Sequence, residues 1–159
     1  FRVHVVDDRE TFANRERFPD AAEVIVDSIP EWLERASLSP RGYAVVVTRG
    51  HRHDLDALEA VTRRELHYVG LIGSRAKIAR LFERIDEEPG LRDRLGSVHA
   101  PIGLDIGAVS PEEIAVAIVA ELIAVKYGKA KYKDTPGRDT APAREAEAPS
   151  LKWAPPQRV

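Results

Sequence analysis

The 159 residues include no cysteine. Within this stretch, that excludes disulfides, thiolate metal sites and a cysteine that carries sulfur. Any sulfur chemistry must come from a partner. Charge of one sign is also lacking: a formal net charge of −2 with 31% charged residues gives no general attraction to nucleic acid or to an anionic membrane. Neither is an expected partner. No apolar run approaches the roughly 18 residues of a membrane-spanning helix, and no signal-peptide pattern opens the chain, so the expected location is the cytoplasm. Methionine is absent as well, and Phe1-Arg2-Val3-His4-Val5-Val6 reads as a strand already under way. The expectation is a piece of a longer polypeptide.

What is present fits one α/β domain, since 43% hydrophobic residues can fill a single core. Short β-branched runs closed by acids, Phe1–Val6 before Asp7-Asp8-Arg9 and Ala22–Asp27, read as buried parallel strands. After Pro30, Trp32, Leu33 and Ala36 share a helical face, and Gly42 closes that connection. Tyr43–Thr48 reads as the clearest buried strand. Asp54 stands where an N-cap belongs, before a helix through Leu55, Leu58, Val61 and Leu66. His67–Gly73 reads as a further strand, followed by a helix whose Ile78, Leu81, Phe82 and Ile85 have i, i+3, i+4, i+7 spacing and which Pro89-Gly90 stops. A short basic helical piece, Leu91–Leu95, then leads to the strand around Ser97–Ala100. Ser110-Pro111-Glu112-Glu113 is a capping box with proline at the first helical position. The helix it opens is apolar on nearly every side, from Ile114 to Val125, and is expected to lie buried against a sheet or in a dimer interface. Strict alternation of strand and helix predicts a doubly wound parallel sheet over residues 1–128. Residues 129–159 turn to Lys, Ala, Pro, Glu and Arg without periodicity, a tail expected to remain disordered.

In open parallel sheets ligands bind beyond the carboxyl ends of the strands, and four segments occupy such ends. Asp7, with Asp8 and Arg9 behind it, suits the acid that accepts from ribose hydroxyls at the end of the second strand of a dinucleotide-binding unit. In that case the first strand and its glycine-rich turn precede Phe1; the same acids equally suit a solvated turn. Thr48-Arg49-Gly50-His51 gathers groups suited to a phosphate and to proton transfer. The alternative there is a polar loop, and His51 with His53 alone makes a poor zinc site. Gly70, Gly73, Ser74, Arg75 and Lys77 sit at a strand-to-helix turn that favours anions over pure turn chemistry. The apolar loop Pro101–Gly107 holds Gly103, which can let backbone approach a ligand, and Asp105, its one acid; as a plain link to the next helix it reads equally well.

The ordered run Val5-Val6-Asp7-Asp8-Arg9, Phe12-Ala13-Asn14, Arg17-Phe18-Pro19 and Thr48-Arg49-Gly50-His51 with Asp54 resembles the C-terminal Rossmann domain of the XdhC/CoxI family. Tyr68–Lys77, His99–Gly107 and Pro111–Val116 extend the likeness to about residue 127. The resemblance implies an accessory factor, not a complete enzyme. Such a factor binds the molybdenum cofactor or NAD(P), supports cofactor sulfuration with a sulfur donor protein, and serves an apoenzyme such as xanthine or carbon monoxide dehydrogenase. It also implies pairing, either as a homodimer or with the rest of the parent chain. Two other readings stand beside it: an NAD(P)-dependent oxidoreductase with His51 or His99 as acid or base, and a dimerisation module built on the Ile114–Val125 helix.

Overall fold

The computed structural model describes residues 1–48, 51–85, 95 and 98–129. Among these residues five parallel strands form two sheets. In the first, β1 (His4–Asp7) pairs with β2 (Glu23–Val26), placing Asp7 opposite Val26. In the second, β3 (Tyr43–Val46), β4 (Tyr68–Leu71) and β5 (Val98–His99) run in the order β3-β4-β5. The rings of Phe1 and Tyr43 meet at 5.2 Å.

Among the described residues these strands are connected or followed by the helices α1 (Ile29–Arg35), α2 (His51–Thr62), α3 (Arg75–Ile85) and α4 (Pro111–Lys126). The core forms where α2 and α3 lay Leu58, Val61, Ile78 and Leu81 against Val69, Leu71 and Val98. Each such side chain contributes about 1.5–3 kcal/mol when fully withdrawn from water. The spacing read in α3 serves this core: Ile78, Leu81 and Phe82 are buried while Arg80, Glu83 and Arg84 are exposed. The capping box forms as read, with Ser110 Oγ accepting from the Glu113 amide and Glu113 accepting from the Ser110 amide.

Three expectations are corrected. The strand at Tyr43–Thr48 is not buried on both faces, because β3 is an edge strand of its sheet; Val46 is covered but Val47 is 60% exposed. Asp54 is no N-cap, since α2 begins at His51 and Asp54 lies within its first turn. Along α4 only Ala117 and Glu121 are buried, and the flank of Val116, Val119 and Ile123 is open. One side of that helix meets the loop after β5; no described element covers the other. Pro89-Gly90, all of the Leu91–Leu95 piece except Leu95, and the tail beyond Lys129 lie outside the described residues.

Candidate functional site

The strand-end residues gather into two sets of contacts. The first closes β1. The Asp7 carboxylate accepts from the Arg9 amide at 3.0 Å and from Arg9 Nε and Nη2 at 2.8 Å each, a two-pronged pair of the kind a planar guanidinium favours. Burial alone would raise the Asp7 pKa, but the side-chain and backbone hydrogen bonds from Arg9 hold it below the usual 3.8. The Arg9 guanidinium also lies 3.6 Å over the Phe12 ring, and its Nη1 is buried without a hydrogen-bond partner. Asp8 is largely exposed, 3.5 Å from Arg9 Nε. Both Asp7 oxygens are therefore engaged within the chain, and a ribose would have to share them.

The second set joins the ends of β3 and β4. Asp54, 0% exposed, takes a hydrogen bond from the Thr48 hydroxyl on Oδ1 and pairs through Oδ2 with Lys77 Nζ at 2.5 Å. Lys77 lies in the first turn of α3, where Ser74 Oγ accepts from its amide at 3.2 Å. Gly73 leaves room for the lysine stem: a Cβ there would stand 3.3 Å from Lys77 Cδ. Arg75 begins α3 and reaches Asp105 at 3.6 Å, both side chains mostly in solvent. A surface pair of this kind contributes at most about 1 kcal/mol, which leaves the guanidinium free to exchange partners.

Two glycines read as ligand turns serve packing instead. Gly70 is buried in β4, and a Cβ there would collide with Ile102 and come within 2.6 Å of the Tyr68 hydroxyl. Gly103, at φ +94°, admits α4: its Cβ would stand 3.2 Å from the Ala117 carbonyl carbon and the Ile118 nitrogen. Its close approach is to a helix backbone. Arg49 and Gly50 lie outside the described residues, as does the side chain of His51.

A third polar group joins His99 to a residue that the sequence pattern does not single out, Glu121. His99 on β5 meets Glu121 of α4 through Nδ1, with both side chains almost wholly buried, and the Tyr68 ring lies 4.5 Å from the imidazole. Burial, reinforced by the Glu121 charge, pushes the Tyr68 phenol well above its usual 10.0. His99, the last residue of β5, is thus buried between Glu121 and Tyr68. A single acid inside the apolar stretch Ile114–Val125 was the signal available for Glu121, since a buried carboxylate requires a partner.

Comparison with known proteins agrees with this arrangement. The model of the XdhC Rossmann domain matches residues 1–122. The chain is 35% identical over 123 residues to a Bacillus subtilis protein described as a probable xanthine dehydrogenase component, covering 77% of this chain and 35% of that protein. It is 28% identical over 127 residues to the uncharacterised protein YqeB of Escherichia coli, covering 79% of this chain and 23% of YqeB. Among solved structures, one described as a xanthine dehydrogenase from Bacillus halodurans superposes with a TM-score of 0.70 at 32% identity, covering 81% of this chain and 38% of that one. The chain thus spans well under half the length of each of these relatives. A parallel α/β sheet, two strand-end clusters and a family match over most of the described residues lead to one conclusion: this chain belongs to the XdhC family and carries its Rossmann domain.

Proposed function

We propose that this chain is the ligand-binding part of an accessory factor for a molybdenum hydroxylase, and that it holds the phosphate end of a nucleotide or of the molybdenum cofactor at the strand-end edge. The observation that carries this reading is the cluster at the start of α3. There a hydroxyl, an ammonium and an exposed guanidinium, from Ser74, Lys77 and Arg75, lie in the first turn of a helix or just before it. Such a donor set fits phosphate oxygens, because the helix amides and dipole favour an anion and the side chains add charged donors. In the bound state Ser74, Arg75 and Lys77 would hold the phosphate, and Asp7 would share a ribose hydroxyl with Arg9. When the molybdenum cofactor is the ligand, it supplies the redox-active centre destined for the hydroxylase; this chain's residues bind and orient it. The client enzyme is inferred from the names of the Bacillus relatives, which refer to xanthine dehydrogenase. Because the chain has no cysteine, sulfuration requires a donor protein.

The open flank of α4 is where we place association with a second copy. Ala115, Val116, Val119, Ala120 and Ile123 form a shallow apolar groove. With no charge among them, a two-fold contact of this flank with itself meets no like-charge penalty.

The test is calorimetric titration of the full chain with ADP, NAD and molybdenum cofactor, repeated for Arg75→Ala. Loss of a charged hydrogen bond is expected to weaken binding about tenfold or more, at about 1.5–3 kcal/mol. Equal affinity of the wild type and Arg75→Ala for every ligand would remove the phosphate role of this turn.

A further inference from the structure

The Asp54–Lys77 pair does more than fasten two helices. Lysine in the first turn of α3 is badly placed for the helix alone, because the positive end of the dipole opposes a cation there. Its position is set by one anion: Asp54, fully buried in the first turn of α2. That carboxylate has little freedom, with the Thr48 hydroxyl on Oδ1 and Lys77 Nζ at 2.5 Å from Oδ2. Lys77 itself is not closed off, its side chain remaining 24% exposed. An ammonium has three donors, and its ion pair with Asp54 leaves it able to meet a group arriving from solvent as well.

We propose that Asp54, braced by Thr48, is a positioning residue that aims Lys77, and that the ammonium so held reads the phosphate oxygens of the ligand. This rests on the binding reading above. The three residues come from the end of β3, the start of α2 and the start of α3, so the arrangement ties ligand charge to the packing of both helices. One carboxylate balances one lysine, and an anion at the start of α3 would add a second negative partner for the ammonium.

The experiment measures pyrophosphate binding to the full chain by calorimetry for wild type, Lys77→Met, Asp54→Asn and the double variant, as a thermodynamic cycle. Lys77→Met is expected to weaken pyrophosphate binding about tenfold. Removing a negative charge beside an anion site would by itself tighten binding, so the sign for Asp54→Asn is diagnostic. Aiming predicts weaker binding from Asp54→Asn, and no further loss when that change is added to Lys77→Met. Unchanged or tighter binding by Asp54→Asn, or losses that simply add, would overturn the assignment. If Lys77→Met alone does not fold, the double variant lacks both charges and is compared with Lys77→Arg, which keeps the cation and should retain most of the affinity. A wild-type chain that binds no pyrophosphate defeats the binding reading together with this one, whereas wild-type binding that every variant preserves defeats this one alone.

Discussion

Two of the acid–base pairs at strand ends in this domain are built in opposite ways. Asp7 and Arg9 are two residues apart, partly exposed, and held by a turn at the end of β1. Asp54 and Lys77 come from different helices, and the carboxylate is wholly buried. The local pair forms almost wherever the turn forms. The distant pair exists only when β3, α2 and α3 are all in place, so its loss should be felt throughout the core.

The largest expected effect therefore belongs to Lys77→Ala. It leaves the Asp54 carboxylate buried without its cation, and breaking such a pair costs about 3–5 kcal/mol. Denaturant unfolding followed by circular dichroism measures this, and a loss under about 1 kcal/mol would show that the two pairs are energetically alike.

Arg9→Ala is expected to cost less, about 1–2 kcal/mol, from the lost charged hydrogen bonds and the lost stacking on Phe12. The pH dependence sharpens the comparison. Because Asp7 titrates below its usual 3.8 in the folded chain, its contribution is fully present above that value and is lost as pH falls through the lowered folded pKa. The stability gap between wild type and Arg9→Ala should therefore be constant near neutrality and shrink below about pH 4. A gap unchanged at pH 2.5 would mean that Arg9 acts through Phe12 alone.

Asp8→Asn should have the smallest effect, within about 0.5 kcal/mol, because Asp8 is exposed and only 3.5 Å from an Arg9 already committed to Asp7. Thermal unfolding that drops as far as in Arg9→Ala would make Asp8 an equal member of the β1 pair.

The same contrast separates what was legible in the sequence from what was not. The Asp7-Asp8-Arg9 turn, the apolar stripe of α3 and the Ser110 capping box all depend on residues within one turn of one another, and pattern alone finds such features. Local spacing around Asp54 suggests an N-cap, but it cannot reveal that α2 begins at His51, or that Lys77 arrives from another helix. Glycine at 70 and 103 signals close approach without naming what approaches; here it is Ile102 and the backbone of α4. The exposure of Val47 and Val119 arises from which neighbours the sheet and helix have, a property of topology and not of composition.

The division of the strands into two sheets also bears on how the domain responds to stress. The strand β4 is paired on both sides and buried along its length, whereas β1 and β2 form a two-stranded ribbon, which is marginal by itself in water. Opening should therefore be graded, with the ribbon breathing at a smaller free energy than the three-stranded body. Asp7 rides on the compliant part and Lys77 on the stiff one. A molecule touching both would find one half of its seat already set and would rigidify the other on arrival, so part of its interaction energy would go into ordering the ribbon. Amide protection in β1 and β2 would then rise with occupancy, while that of β4 stayed nearly constant.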